Sequence, residues 1–400
     1  MTRSRTAQTF APPVMEARRW LAGVTFAPER PLINVSQAAP VDPPPEALRR
    51  AIADVALTCG EAHLYGPVLG LPELRAELAA QWSTAYGGRV DPDQVAITAG
   101  CNQAFCAAIA ALAKDGDEVI LPAPWYFNHK MWLDMSGIKT VPLPAGEGLL
   151  PSLEDAADRI TGRTRAIVLV SPNNPGGVEY PADLLRGFFD LARAHGLALI
   201  VDETYRDFDA RSAAPHDLFT LPDWAETLIH LYSFSKAYRL TGHRVGALVS
   251  GPARLAEVEK FLDTVTICPN QLGQHAALWG MRNLGQWLAG ERAEILDRRA
   301  AIDANMPGLA AQGWQLLGNG AYFAYLRHPF ALPSDQLAQH LVRAAGILLL
   351  PGTMFRASDD PAGKREVRVA FANVDRARIG VLFDRLAGLA LPLAPDQGSV

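Results

Sequence analysis

The sequence predicts an α/β protein with two parts. One is a large domain on a mostly parallel sheet covered by helices, and the other is a smaller α+β domain. Three observations carry this expectation. The chain has 400 residues, long for a single core. Through its middle, short apolar runs alternate with longer amphipathic stretches, the signature of strand–helix–strand units. After about residue 280 the text changes to alternating runs set between long helical stretches.

The elements follow in order. "ITAGCNQAFCAAIAALAKDG" reads as a strand, a glycine turn at Gly100 and an amphipathic helix beginning near Asn102. "RAIVLVSPNNPGG" is a buried strand and a turn. "PADLLRGFFDLARAHG" places apolar residues at helical spacing and ends on a capping Gly. "LALIVDETY", "TLIHLYSFSK" and "RVGALVSG" are further strands of the same parallel sheet. "EILDRRAAIDANMPGLAAQG" is a long helix, "AYFAYLRHP" and "EVRVAFAN" alternate like half-exposed strands, and "IGVLFDRLAGLA" closes the chain as a helix. The expected division is an arm over 1–45 that joins the small domain, a large domain over 46–280 and a small one over 281–400.

Composition removes several function classes. Net charge is −5, which offers no basic field to nucleic acid or to a membrane. The four cysteines form no Cys-x-x-Cys pair and the nine histidines show no His-x-x-x-His spacing, so no metal site is expected. No apolar run reaches bilayer length, and the amino terminus lacks the apolar stretch of a signal peptide. A cytoplasmic home is the expectation.

The residues that carry chemistry stand where the strands end, which is where open α/β sheets bind ligands. Asp202 ends "LIVD". Alone it reads as a strand-end cap, but a buried carboxylate there suits a protonated heterocyclic nitrogen, the partner that pyridoxal phosphate requires. Tyr205 offers a phenol to the same ring. A phosphate dianion wants helix amides, hydroxyls and an arginine. Gly100, Cys101 and Asn102 supply amides, Ser233 and Ser235 hydroxyls, and Arg244 a guanidinium. Lys236, just past a strand, would be a surface lysine in most proteins; buried beside a phosphate pocket it becomes a nucleophilic amine. Arg368, on an alternating strand, suits a carboxylate if it faces inward.

Seven segments, "LYGPVLGLPELRAELA", "TAGCNQA", "PAPWYFNH", "VSPNNPGG", "IVDETYRDF", "SFSKAYRLTGHRVG" and "VRVAFA", stand in the order of a known family. Together they resemble the class I/II aminotransferases among the fold-type I pyridoxal-phosphate enzymes, over about residues 30 to 390. The resemblance implies transfer of an amino group from an L-amino acid to a 2-keto acid by a ping-pong route. Lys236 is then the Schiff-base lysine and Asp202 the pyridine partner. Asn174 and Tyr205 bond the ring hydroxyl, and Tyr126 stacks on the ring, with Trp125 the alternative register. Gly100, Cys101, Asn102, Ser233, Ser235 and Arg244 bind phosphate. Tyr65 matches a tyrosine that reaches the phosphate of a neighbouring subunit, which implies a homodimer with shared sites. Arg368 and Asn174 meet the substrate carboxylate. Ala38 stands where many relatives have Gly, in a loop that approaches the substrate, and adds a Cβ to that pocket. His243 departs from the bulky apolar residue common there.

The same cofactor set serves β-eliminating lyases, the alternative within the family. Outside it, Ser233-x-x-Lys236 also reads as the acyl-transfer signature of penicillin-binding proteins. That class needs a Ser-x-Asn and a Lys-Thr-Gly downstream, both missing, and a helix starting at the serine, which is not expected. No Gly-x-Gly-x-x-Gly marks a dinucleotide site. The stretch before the core, about 45 residues without basic clustering, speaks against a DNA-binding unit. No second arginine for a side-chain carboxylate is placed by motif.

Overall fold

The computed structural model describes residues 4–395. Near the amino end, α1 (Pro13–Arg19) begins on a proline, whose missing N–H leaves no helical bond unmade at that position. Farther on, Ile33–Asn34 pairs in parallel with Ile347–Leu348, and Val35 O accepts from Ala370 N at 2.9 Å. The amino-terminal segment is thereby strapped to the carboxy-terminal part of the chain.

A seven-stranded sheet organises the middle. Its strands are β1 (Val95–Thr98), β2 (Glu118–Ala123), β3 (Lys139–Pro144), β4 (Thr164–Val170), β5 (Ala198–Asp202), β6 (Leu228–Ser233) and β7 (Gly246–Val249). They lie in the order β1-β7-β6-β5-β4-β2-β3. The pairs from β6 to β3 are parallel. Ile167, Val168, Leu199 and Ile200 are fully buried, as strands covered on both faces require. One strand departs from the expectation. β7 runs antiparallel to both β1 and β6. Residues 234–245 hold only short helical turns, so no crossover helix exists to carry the chain back for a parallel pairing. Reversing β7 leaves β1 aligned with β6, so the carboxyl ends of β1, β4, β5 and β6 share one edge.

Helices α2 (Cys101–Leu112), α3 (Phe127–Met135) and α4 (Ala182–Ala194) cover the sheet. In α4, Leu185, Phe188, Phe189 and Ala192 recur at three- and four-residue spacing and are all buried. Each of the two phenylalanines stabilises the fold by about 1.5–3 kcal/mol through burial. The helix ends where the sequence said it would. His195 is the cap and Gly196 follows at φ 64°, a left-handed position that costs glycine nothing.

Beyond α5 (Gly285–Ala310), a second sheet forms from β8 (Gln315–Gly320), β9 (Phe323–Arg327), β10 (Leu350–Pro351) and β11 (Glu366–Ala370), closed by α6 (Arg376–Ala387). All its pairings are antiparallel, in the order β10-β11-β9-β8. Here the half-exposed expectation is overturned. Every residue of β11 is buried, and in β9 only Arg327 is exposed. Val367 and Val369 pack with Ile302 and Leu382 of the helices on one face. The other face packs Tyr325 and Leu350 against Phe127, Phe355 and Ala17. Arg368 alternates with the valines and so meets that second face, toward the large sheet. The two parts also touch backbone to backbone. A Cβ at Gly177, whose φ is 75°, would fall 2.5 Å from Phe323 O, so only glycine fits there.

Candidate active site

A cavity of about 420 Å³ opens at the shared edge of β4, β5 and β6, in the range that small-molecule sites occupy. Asp202, the last residue of β5, lines it and is buried. Its Oδ1 accepts from Thr204 N at 3.0 Å, and His129 Nε2 lies 3.2 Å from its Oδ2. The His129 ring stacks on Phe105, with centroids 3.9 Å apart. Burial pushes the Asp202 carboxyl up, but His129 and Thr204 outweigh it and hold the group below its ordinary value. Asp202 is therefore an anion at neutral pH, beneath a cavity with room for a cationic partner.

Lys236 lies in a single helical turn, Phe234–Ala237, whose N-cap is Ser233. This corrects the expectation that no helix starts at that serine. Ser233 Oγ accepts from Ser235 N at 3.3 Å, a capping bond that holds the turn. Lys236 Nζ donates to Ala38 O at 2.7 Å. Burial first, then the charges of Arg244 and Arg368, lower its pKa to about 8. A neutral, nucleophilic amine is thus accessible in mildly alkaline solution.

Groups suited to a dianion line the cavity with Lys236. Cys101 and Asn102 start the twelve-residue α2, and Ser233, Ser235 and Arg244 line the same wall. Arg244 Nη1 donates to Thr241 O at 2.9 Å and to Ser235 Oγ at 3.4 Å. Gly100, at φ 86°, makes room for that guanidinium, since a Cβ there would sit 2.2 Å from Arg244 Nη2. Arg368 lines the same cavity, buried, with its guanidinium carbon 5.0 Å from the Phe323 ring centroid and 4.9 Å from that of Phe355. Its Nη1 donates to Asn174 Oδ1 at 2.9 Å and its Nη2 to Ser36 O. Nε has no partner. Burial lowers its pKa to about 10, so it stays charged at neutral pH.

A buried carboxylate, a depressed amine, a cationic cradle behind a glycine and a second buried arginine together fit a phosphorylated pyridine aldehyde and a carboxylate-bearing substrate. The sequence profile of "Aminotransferase class I and II" matches residues 30–386. The chain belongs to the class I and II aminotransferases.

As such it is a pyridoxal-phosphate-dependent transaminase, and nothing in its relatives favours the β-eliminating alternative. It is 31% identical to a probable aspartate/prephenate aminotransferase of Thermus aquaticus, over 78% of this chain and 80% of that one. It is 31% identical to an arginine–pyruvate transaminase of Pseudomonas aeruginosa, over 85% and 86%. In three dimensions it superposes on a single mutant of Thermus thermophilus aspartate aminotransferase with a TM-score of 0.83. The two are 26% identical, over 97% of this chain and 99% of that one.

The transaminase brings most of the sequence candidates into one cavity. Ala38, Cys101, Asn102, Tyr126, Asn174, Asp202, Tyr205, Ser233, Ser235, Lys236, Arg244 and Arg368 all line it. Tyr126 faces the cavity, whereas Trp125 is buried elsewhere and bonds Phe355 O through its backbone N–H at 2.8 Å. Two candidates lie outside it. Gly100 stands behind Arg244, and Tyr65 is 78% exposed on the surface. Ala38 meets Lys236 through its carbonyl, so the backbone, more than the added Cβ, shapes that wall. His243 sits in the turn Thr241–His243 outside the cavity lining.

Some groups of the site escaped the sequence reading. Thr204 follows Asp202 and bonds it. His129, three residues after Tyr126 on α3, shares a helix face with it, and that spacing was a usable signal. Arg18, Met15 and Gln37 come from the amino-terminal segment. Nothing in their local pattern marks them, because only the strapping of that segment onto the second sheet brings them to the cavity.

Proposed function

We propose that Lys236, Asp202, Tyr205 and Arg368 perform amino transfer, with the gathering of a buried lysine, Asp202 and two arginines in one cavity as the observation that carries the reading. Pyridoxal phosphate, when bound, supplies an aldehyde carbon and a ring that acts as an electron sink. Arg244, Ser233, Ser235 and the amides of Cys101 and Asn102 hold its phosphate, with Gly100 leaving space for the guanidinium. Asp202 keeps a proton on the ring nitrogen, and His129 keeps Asp202 ionised and oriented. Asn174 and Tyr205 bond the ring hydroxyl, and Tyr126 covers the ring face. Arg368 grips the substrate α-carboxylate, using Nε and the Nη2 now on Ser36 O. Lys236 Nζ, once released from Ala38 O, would serve as the base that moves the proton at the substrate Cα.

The domain division at residues 45 and 280 belongs to the same reading, supported by the separate sheets; residues 1–3 and 396–400 lie outside the described residues. So does a homodimer in which Tyr65 completes the phosphate site of the partner copy. Leu64, Tyr65, Val265 and Ile267 are large apolar residues left exposed. Their loops are joined by Gln271 Nε2 donating to Leu64 O at 2.7 Å and Gly66 N to Cys268 Sγ at 3.4 Å. A cytoplasmic home fits four free thiols.

The test is a single turnover. Mixed with an amino acid and no keto-acid acceptor, the enzyme should release one keto acid per site and then stop until an acceptor is added. Continuous release of ammonia without an acceptor would defeat the proposal.

A further inference from the structure

Within the stretch Asp202–Tyr205, Asp202, Thr204 and Tyr205 line the cavity and Glu203 does not. Strand alternation turns Glu203 to the opposite face of the sheet, where Val201 packs with Trp82, Tyr86 and Phe219. Its side chain is fully buried. A buried carboxylate is costly unless donors surround it, and here they come from three separate segments. Tyr86, at the end of the helix Pro72–Tyr86, donates its hydroxyl to Glu203 Oε2. His230 Nε2, on β6, lies 2.8 Å from the same oxygen. His216 Nε2, on a loop, lies 3.4 Å from Oε1.

The surroundings fix what each imidazole presents. Trp82 Nε1, which can only donate, bonds His230 Nδ1 at 3.4 Å. The backbone N–H of Leu218 bonds His216 Nδ1 at 3.2 Å. In their neutral forms both rings therefore carry the proton on Nε2, toward Glu203. Burial pushes the Glu203 carboxyl up, but His216 and His230 outweigh it and hold the group below its ordinary value. The chain leaves the sheet at this point, since β5 ends at Asp202. Thr204 N bonds Asp202 Oδ1 at 3.0 Å, and Arg206 N bonds Glu203 O at 3.1 Å. The turn that presents Asp202 and Tyr205 to the cavity is thus fastened from behind by the Glu203 side chain.

We propose that Glu203 is a positioning residue for amino transfer. Its carboxylate pins the turn Asp202–Tyr205 to the far face of the sheet and so sets where the Asp202 carboxylate and the Tyr205 phenol meet the cofactor ring. This rests on the reading of those two residues as the ring's partners. Glutamine cannot replace Glu203. An amide has one acceptor oxygen and an NH2 group, and the NH2 would meet the Nε2–H of His230 or of His216 whichever way it turned. The turn must shift to relieve that clash, and a small misplacement at a reacting centre lowers the rate.

The test compares Glu203→Gln with Phe219→Leu. The second loosens the same buried layer, where the Phe219 ring centroid is 5.0 Å from that of Tyr86, and leaves the donors to Glu203 in place. In the cofactor-free protein, hydrogen exchange at the amides of Thr204 and Arg206 should quicken in Glu203→Gln and not in Phe219→Leu. In the loaded enzyme, Glu203→Gln should shift the pH midpoint of the bound cofactor's visible absorbance and lower kcat about tenfold or more, with Phe219→Leu unchanged in both. Glu203→Asp, which keeps the charge and both acceptors, should recover part of the loss. Tyr86→Phe, a milder change that removes one donor, should move exchange and absorbance in the same direction and less. If Glu203→Gln matches the wild type, or if it and Phe219→Leu behave alike in exchange and absorbance, the proposal is overturned. Asp202→Asn separates the two readings. If it leaves absorbance and kcat at wild-type values, the ring-partner reading fails. If it changes both while Glu203→Gln changes neither, that reading stands and the role of Glu203 alone fails.

Discussion

Replacing Lys236 by Met is expected to stabilise the cofactor-free protein at neutral pH while abolishing turnover. Burial, aided by Arg244 and Arg368, lowers the lysine from 10.5 to about 8. Below about pH 8 the amine is protonated in both folded and unfolded chains, and the folded chain bears the whole cost of burying the charge. Above pH 10.5 it is neutral in both and the cost is gone. Between these limits the stability of the wild type rises with pH. At about 1.36 kcal/mol per pH unit, the interval amounts to an upper figure of about 3 kcal/mol. Met forgoes the 2.7 Å bond to Ala38 O, a loss of about 1 kcal/mol. The net gain is then about 2 kcal/mol. Urea unfolding of both proteins, near pH 7 and near pH 11, reads it directly. The reasoning is refuted if Lys236→Met is no more stable than wild type near pH 7, or if a gain persists undiminished near pH 11.

Three further outcomes are expected. Arg368→Leu removes two charge-assisted bonds to the substrate carboxylate, at about 1.5–3 kcal/mol each, so kcat/KM should fall by about 100-fold or more for every amino acid tested. Gly100→Ala forces a side chain into φ 86° and into the space of Arg244 Nη2, and an absorbance titration should show pyridoxal phosphate bound about tenfold more weakly by a folded protein. Tyr65→Ala and Lys236→Ala should each be inactive alone. Mixing and refolding them should restore activity through hybrid dimers with one intact site, and a mixture that stays inactive would count against a shared site.

Much of the site was legible because the cofactor's chemistry restricts residue types at strand ends. Asp202 and Ser233 end apolar strands, and Lys236 stands in, and Arg244 directly after, the short helical turns that follow Ser233. What stayed hidden depended on three-dimensional context. A run buried on both faces carries no mark of direction, so the antiparallel course of β7 could not be read from "GALV". The inward turn of Arg368 needed the second apolar layer around Phe127 and Phe355, which comes from residues far away in sequence. The Ser233 cap was missed because four helical residues are too few for periodicity. Arg18 was hidden most completely. Its helix is short and its charge pattern ordinary, and only the pairing of Ile33–Asn34 with Ile347–Leu348 carries it to the cavity.

The assignment of Lys236 as the covalent and proton-moving centre is tested most directly by borohydride reduction of the loaded enzyme, followed by digestion and peptide mass analysis. The account predicts a pyridoxyl group on Lys236 at about one per chain, with the yellow absorbance lost in step. A label on any of the other lysines, or reduction that leaves Lys236 unmodified, would contradict it.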